Sequence, residues 1–140
     1  MANPFVHIEL ATDDVSGAKT FYANLFGWKM TDLPMDYTLL STGKTPGGGI
    51  FKRPLEAPVG WMVYVGVTDA AATLEKARAL GGAVLRERTL ISPEFGHFAV
   101  LQDPTGGVIC LHEGPPAPRK RKARQPPKAA RRPARKARRR

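Results

Sequence analysis

The chain has 140 residues, with 22 Lys and Arg against 12 Asp and Glu, a formal net charge of +10 and one cysteine. A single domain with a modest core is the expectation at this length, and the lone Cys110 excludes an intrachain disulfide. Residues 115–140 hold thirteen of the basic residues and no acid, which leaves nine basic against twelve acidic residues in 1–114 and a body of net charge −3. The whole-chain charge therefore describes the tail. Met1-Ala2-Asn3-Pro4 has no basic leader region, and the apolar runs are too short to span a bilayer. The expected location is cytoplasmic.

Phe5 to Leu10 alternates and is rich in β-formers, so it predicts a strand. Asp13 or Asp14 can cap a helix by accepting from the free N–H groups of its first turn. Val15, Ala18, Tyr22 and Leu25 make an apolar stripe at helical spacing, and Gly27 supplies the stop. Three short strands follow at Trp28–Thr31, Tyr37–Ser41 and Gly49–Arg53, with turns at 32–36 and 43–48. Gly43-Lys44-Thr45 matches the end of a phosphate-binding loop, but Thr38 stands at the first glycine position. Glycines follow instead of a helix, so no row of N–H groups could cradle phosphate.

The second half repeats the first. Met62-Val63-Tyr64-Val65 echoes His7-Ile8-Glu9-Leu10 fifty-five residues later, and Asp69 and Gly82 echo Asp14 and Gly27. Ala70, Thr73, Ala77 and Leu80 take the places of Val15, Ala18, Tyr22 and Leu25. Strands are expected at Trp61–Val67, Ala83–Arg88, His97–Gln102 and Val108–His112. A helix lies between the first two, and Asp103-Pro104-Thr105-Gly106 makes a tight turn. Such self-similarity marks a duplicated βαβββ unit. The fold class is α+β.

Two βαβββ units with Phe21-Tyr22, Phe26-Gly27-Trp28, Ala79-Leu80-Gly81-Gly82 and Leu101-Gln102-Asp103-Pro104-Thr105-Gly106 resemble the vicinal oxygen chelate superfamily of glyoxalase I, extradiol dioxygenases and bleomycin-binding proteins. The resemblance covers residues 4–114. It implies one eight-stranded, open barrel-like sheet with helices outside and ligand on the concave face. It also implies a domain at 1–114 and makes a homodimer plausible. Metal-dependent members draw His, Glu or Gln ligands from the first and last strands of each half. N and O donors of that kind suit Zn²⁺, Ni²⁺, Mn²⁺ or Fe²⁺.

The repeat places His7, Met62, Phe51 and Cys110 at those four positions. One of the four is a usual ligand, so no metal cofactor is expected. Alternation along each strand extends the inward face to His7, Glu9, Phe51, Arg53, Met62, Tyr64, Cys110 and His112, if Val6, Ile8 and Leu10 pack under the helices. That mixture of aromatic, thioether and polar groups suits a small organic ligand. Plainer readings accompany it: His7 as a hydrogen-bonded cavity residue, Cys110 as a buried small hydrophobe, Glu9 and Arg53 as an ion pair. Sharper ones are a Glu9/His112 acid–base pair, a soft-metal set of His7, Met62, Cys110 and His112, and a nucleophilic Cys110. No catalytic residue is assigned. The alternative function is a metal-dependent lyase, isomerase or dioxygenase using His7, with a one-residue register change bringing Glu113 inward.

Beyond Gly114 the sequence is Pro, Ala, Arg and Lys, which cannot form a core, so 115–140 is expected to be disordered when free. Its cations are Arg119, Lys120, Arg121, Lys122, Arg124, Lys128, Arg131, Arg132, Arg135, Lys136, Arg138, Arg139 and Arg140. Such a polycation would bind DNA or RNA by counterion release, and without aromatic residues it has no stacking platform. A solubilising or non-specific anionic tether, and a nucleoid-associated protein whose folded domain merely dimerises the tail, are the other readings of this segment.

Overall fold

A computed structural model describes residues 2–118. The element order is β1 (Phe5–Thr12), α1 (Val15–Phe26), β2 (Lys29–Leu33), β3 (Tyr37–Ser41), β4 (Gly47–Lys52), β5 (Gly60–Val67), α2 (Ala70–Ala79), β6 (Ala83–Ser92), β7 (Gly96–Gln102) and β8 (Val108–Glu113). All eight strands join one mixed sheet in the order β2-β3-β4-β1-β5-β8-β7-β6. Two βαβββ modules thus meet along the antiparallel β1–β5 seam, where His7 faces Tyr64 and Glu9 faces Met62. The α+β duplication read from the sequence is the observed architecture. The thirteen basic tail residues lie outside the described residues.

Local chemistry starts and stops the helices where the sequence indicated. Asp14 accepts from Gly17 N at 2.8 Å and Asp69 from Ala72 N at 2.9 Å, satisfying donors that the first turn leaves free. Gly27 ends α1 at φ 68°, a left-handed conformation that glycine adopts without steric penalty. In the last turn, Asp103 Oδ1 accepts from Thr105 N at 2.7 Å and the Asp103 carbonyl from Gly106 N at 3.1 Å. No helix among the described residues is long and apolar enough to cross a membrane.

Three details differ from the sequence pattern. Strand β4 begins at Gly47 rather than Gly49, because Gly47 and Gly48 pair with His7 and Ile8 of β1. A Cβ on Gly48 would stand 2.2 Å from the Ile8 carbonyl oxygen, so that approach requires glycine. Strand β6 runs on to Ser92, carried past Arg88 by irregular pairing with β7. The helix stripes are only partly buried. None of α1 is buried, and Phe21, Leu25 and Phe26 are exposed; α2 buries Ala70 and Leu74, while Leu80 caps it in solvent. The core beneath α2 is Ala70, Leu74, Ala99 and Leu111. Under the other half it is Leu10, Leu40 and Ile50, with Ile8 at the surface.

Candidate functional site

The concave face is set by strand register. Partners across a ladder share a face, so His7, Tyr64 and Cys110 lie on one side of the sheet. Their neighbours Leu10, Ile50 and Leu111 lie under the helices. On this concave side Glu9 is 8% exposed, the only buried carboxylate among the described residues. It survives there because both oxygens are met. The Tyr37 hydroxyl donates to Oε2 at 2.8 Å and the Tyr64 hydroxyl to Oε1 at 2.7 Å. A buried ion without such donors would be strongly destabilising.

The network extends to His7, whose Nε2 lies 2.6 Å from the Tyr37 oxygen. Since Tyr37 spends its one proton on Glu9, Nε2 must be the donor here, which fixes the tautomer and leaves Nδ1 as the basic nitrogen. Burial holds the His7 imidazole below its ordinary range; Glu9 pulls the other way and His112 adds to the lowering. Burial and the adjacent Glu9 carboxylate raise both phenols, so Tyr37 and Tyr64 remain donors at neutral pH. Gly49 makes the geometry possible. A Cβ there would be 1.9 Å from the Tyr37 hydroxyl, which crosses β4 over the bare glycine to reach Glu9.

The other predicted cleft residues are brought to varying extents into this network. Met62 faces Glu9 across the β1–β5 seam. Phe51 stacks on Tyr37 with ring centroids 6.1 Å apart. Cys110 is fully buried, and burial followed by the Glu9 charge pushes its thiol up to about 12, the opposite of what a nucleophile needs. His112 Nε2 donates to the Phe95 carbonyl at 2.7 Å. It is not joined to Glu9 by a hydrogen bond. Arg53 does not pair with Glu9 either: its Nε lies 2.9 Å from Asp13 Oδ1 and its Nη1 donates to the Leu55 and Ala57 carbonyls.

Register also corrects the equivalence of the two last strands. Cys110 pairs with Tyr64 as Gly49 pairs with Glu9, and His112 pairs with Gly66 as Phe51 pairs with Ala11. The counterpart of Cys110 is therefore Gly49, and that of His112 is Phe51. Glu113, held in reserve as a ligand, sits on the helix side. It accepts from Ala70 N at the start of α2 and from Arg88, and those bonds lower its carboxyl to about 2.

Sequence reasoning missed Tyr37, Lys29, Thr31, Leu39 and Ser41. Lys29, Thr31, Leu39, Ser41, Gly47 and His7 line an open cleft of about 260 Å³ in the first half. Alternation in β3 could have grouped Tyr37, Leu39 and Ser41, but no residue in that strand declares which face is inward.

The sequence profile of the glyoxalase-like domain matches residues 6–112. The chain belongs to that family. It is thereby a vicinal oxygen chelate protein, as its two-module sheet agrees. CFP32 of Mycobacterium tuberculosis, provisionally named a glyoxylase, is 37% identical over 115 residues, covering 79% of this chain and 43% of CFP32. The chain thus spans less than half the length of that relative. A glyoxylase-like domain-containing protein of Didymella fabae is 30% identical over 119 residues, 76% of this chain and 92% of its own. Among solved structures, methylmalonyl-CoA epimerase from M. tuberculosis superposes with a TM-score of 0.61 at 19% identity. That match covers 80% of this chain and 88% of the epimerase, a likeness of fold.

The divalent ion that metal-dependent members of the superfamily hold does not fit the donors of this glyoxalase-like domain. Glu9 and His7 are engaged with the phenols, their second-half counterparts are Tyr64 and Met62, and Gly49 offers no side chain. No three His, Cys, Asp or Glu among the described residues converge as a metal would require.

Removing one phenol tests the network. Tyr64→Phe leaves Glu9 Oε1 without its donor and should destabilise the fold by about 1–3 kcal/mol, measured as a lower urea midpoint with an unchanged slope. An unaltered midpoint would mean that the phenol contributes nothing to holding the carboxylate.

Proposed function

We propose that this glyoxalase-like domain binds a small organic ligand on its concave face and does so without a protein-bound divalent metal. The observation that carries this reading is the saturation of Glu9 by Tyr37 and Tyr64, with His7 tied to the same phenol. Groups that would serve as metal ligands are instead donors and acceptors for one another. What remains open to a ligand is the cleft beside His7, with the apolar side chain of Leu39 and the hydroxyls of Thr31 and Ser41. Its 260 Å³ lies below the ~300–1,000 Å³ that accommodates drug-sized molecules. The ligand class is therefore metabolite-sized. The competing reading is a metal-dependent glyoxalase-like lyase, isomerase or dioxygenase, and CFP32 carries the name of a glyoxylase.

Elemental analysis of protein purified without chelator separates the two. The expected result is less than about a tenth of an equivalent of Ni, Zn, Mn or Fe, given donors that are already paired. Stoichiometric metal that is lost in His7→Ala would contradict the reading.

We further infer that the tail attaches the domain electrostatically to DNA or RNA, consistent with a cytoplasmic, nucleoid-associated protein. Thirteen basic residues without an acid in 115–140 support this. If about six phosphates are engaged, the log–log dependence of affinity on salt should have a slope near −5. Equal DNA affinity from a chain ending at Gly114 would overturn it.

A further inference from the structure

We infer that the concave cleft selects small organic anions, with Lys29 as the residue that reads the charge. This rests on the ligand-binding reading above and adds the chemical class of the ligand. The sheet order puts β2 and β6 at opposite edges, and each edge strand sends one cation to the concave side. Lys29 faces Ser41, which alternates with Leu39 and Tyr37 on the inward face of β3; it also lines the cleft beside His7. Arg86 faces Val100, and Val100 faces Cys110. Its guanidinium lies 5.4 Å from the centroid of Phe98, whose partner His112 belongs to the same face.

Neither cation is neutralised. The ion pairs formed by Lys and Arg among the described residues use Lys19, Lys52, Arg53, Arg78 and Arg88, not Lys29 or Arg86. Arg86 makes a single long side-chain hydrogen bond, to Thr89 Oγ1 at 3.4 Å. The body as a whole carries net charge −3, so the preference cannot come from overall charge. It comes from placement. Asp13, Asp32, Glu75, Glu87 and Glu113 are all committed to basic partners away from this cleft. Glu9, the buried carboxylate of the concave face among the described residues, is screened by two phenols.

An anion entering at the rim meets an uncompensated ammonium and two hydroxyls, while its apolar body lies against Leu39. A carboxylate and a phosphate monoester share this chemistry. A neutral isostere would leave the ammonium with water alone.

The test uses the full chain and three probes of equal chain length: hexanoate, hexyl phosphate and hexanamide. Binding is read at the ring resonances of His7, Tyr37 and Tyr64, because the basic tail also attracts anions and total heats would include it. The expected result is saturable shifts with hexanoate or hexyl phosphate at concentrations where hexanamide gives none, the stronger of the two naming the headgroup. Lys29→Gln should weaken that binding about threefold to tenfold, Arg86→Gln at the opposite edge should leave it unchanged, and added salt should weaken the anion alone. Equal binding of hexanamide and hexanoate would overturn the charge inference and leave the ligand-binding reading intact. Absence of ring shifts with all three probes would overturn both.

Discussion

A single buried carboxylate organises the centre of this protein. Glu9 sits on the seam between two modules, and the two phenols that satisfy it come one from each: Tyr37 from the first, Tyr64 from the second. A hydrogen bond to a charged group contributes about 1.5–3 kcal/mol, and an unmet buried charge costs more than that. The Tyr64 bond therefore fastens the modules across β1–β5, and the pair of phenols fixes the polarity of the concave face. Gly49 belongs to the same device, since only a residue without Cβ lets Tyr37 cross β4. His7 is ordered in turn by Tyr37, and through that bond its tautomer is set.

The consequence for chemistry is that the polar groups of β1, β3 and β5 are paired with one another. In metal-dependent members of the superfamily, equivalent strands of the two halves converge on an ion. Here the same strands converge on one another's side chains. Cys110 is sealed beneath Tyr64 with a raised thiol, and Glu113 is held at the start of α2 by Arg88 and the Ala70 N–H. With those groups committed, the polar atoms left for a ligand lie toward the rims of the sheet.

Much of the architecture was legible because it rests on local signals. Asp14 and Asp69 cap, Gly27 stops a helix, and the echo of His7-Ile8-Glu9-Leu10 in Met62-Val63-Tyr64-Val65 gives the duplication. The inward faces of β1, β5 and β8 followed from alternation once one residue was placed. What stayed hidden needed register across strands. Tyr37 gives no local sign that it reaches over a glycine to Glu9. Arg86 lies in a strand whose irregular pairing breaks the simple count of two. Arg53 keeps the parity of Phe51 but is claimed by Asp13, a partner forty residues away in sequence. The matching of Cys110 with Phe51 failed for the same reason: spacing between halves changes within the longer, irregular β6, and only the β5–β8 ladder reveals Gly49 as the counterpart.

The central claim is that Tyr37 and Tyr64 are donors bound to a buried carboxylate. Alkaline spectrophotometric titration of Tyr22→Phe measures this most directly, because the protein has three tyrosines and the variant leaves these two. No phenolate absorbance is expected near pH 10, the ordinary value for tyrosine, and ionisation should appear only as the fold is lost. Two phenols titrating reversibly near pH 10 in the folded protein would contradict it.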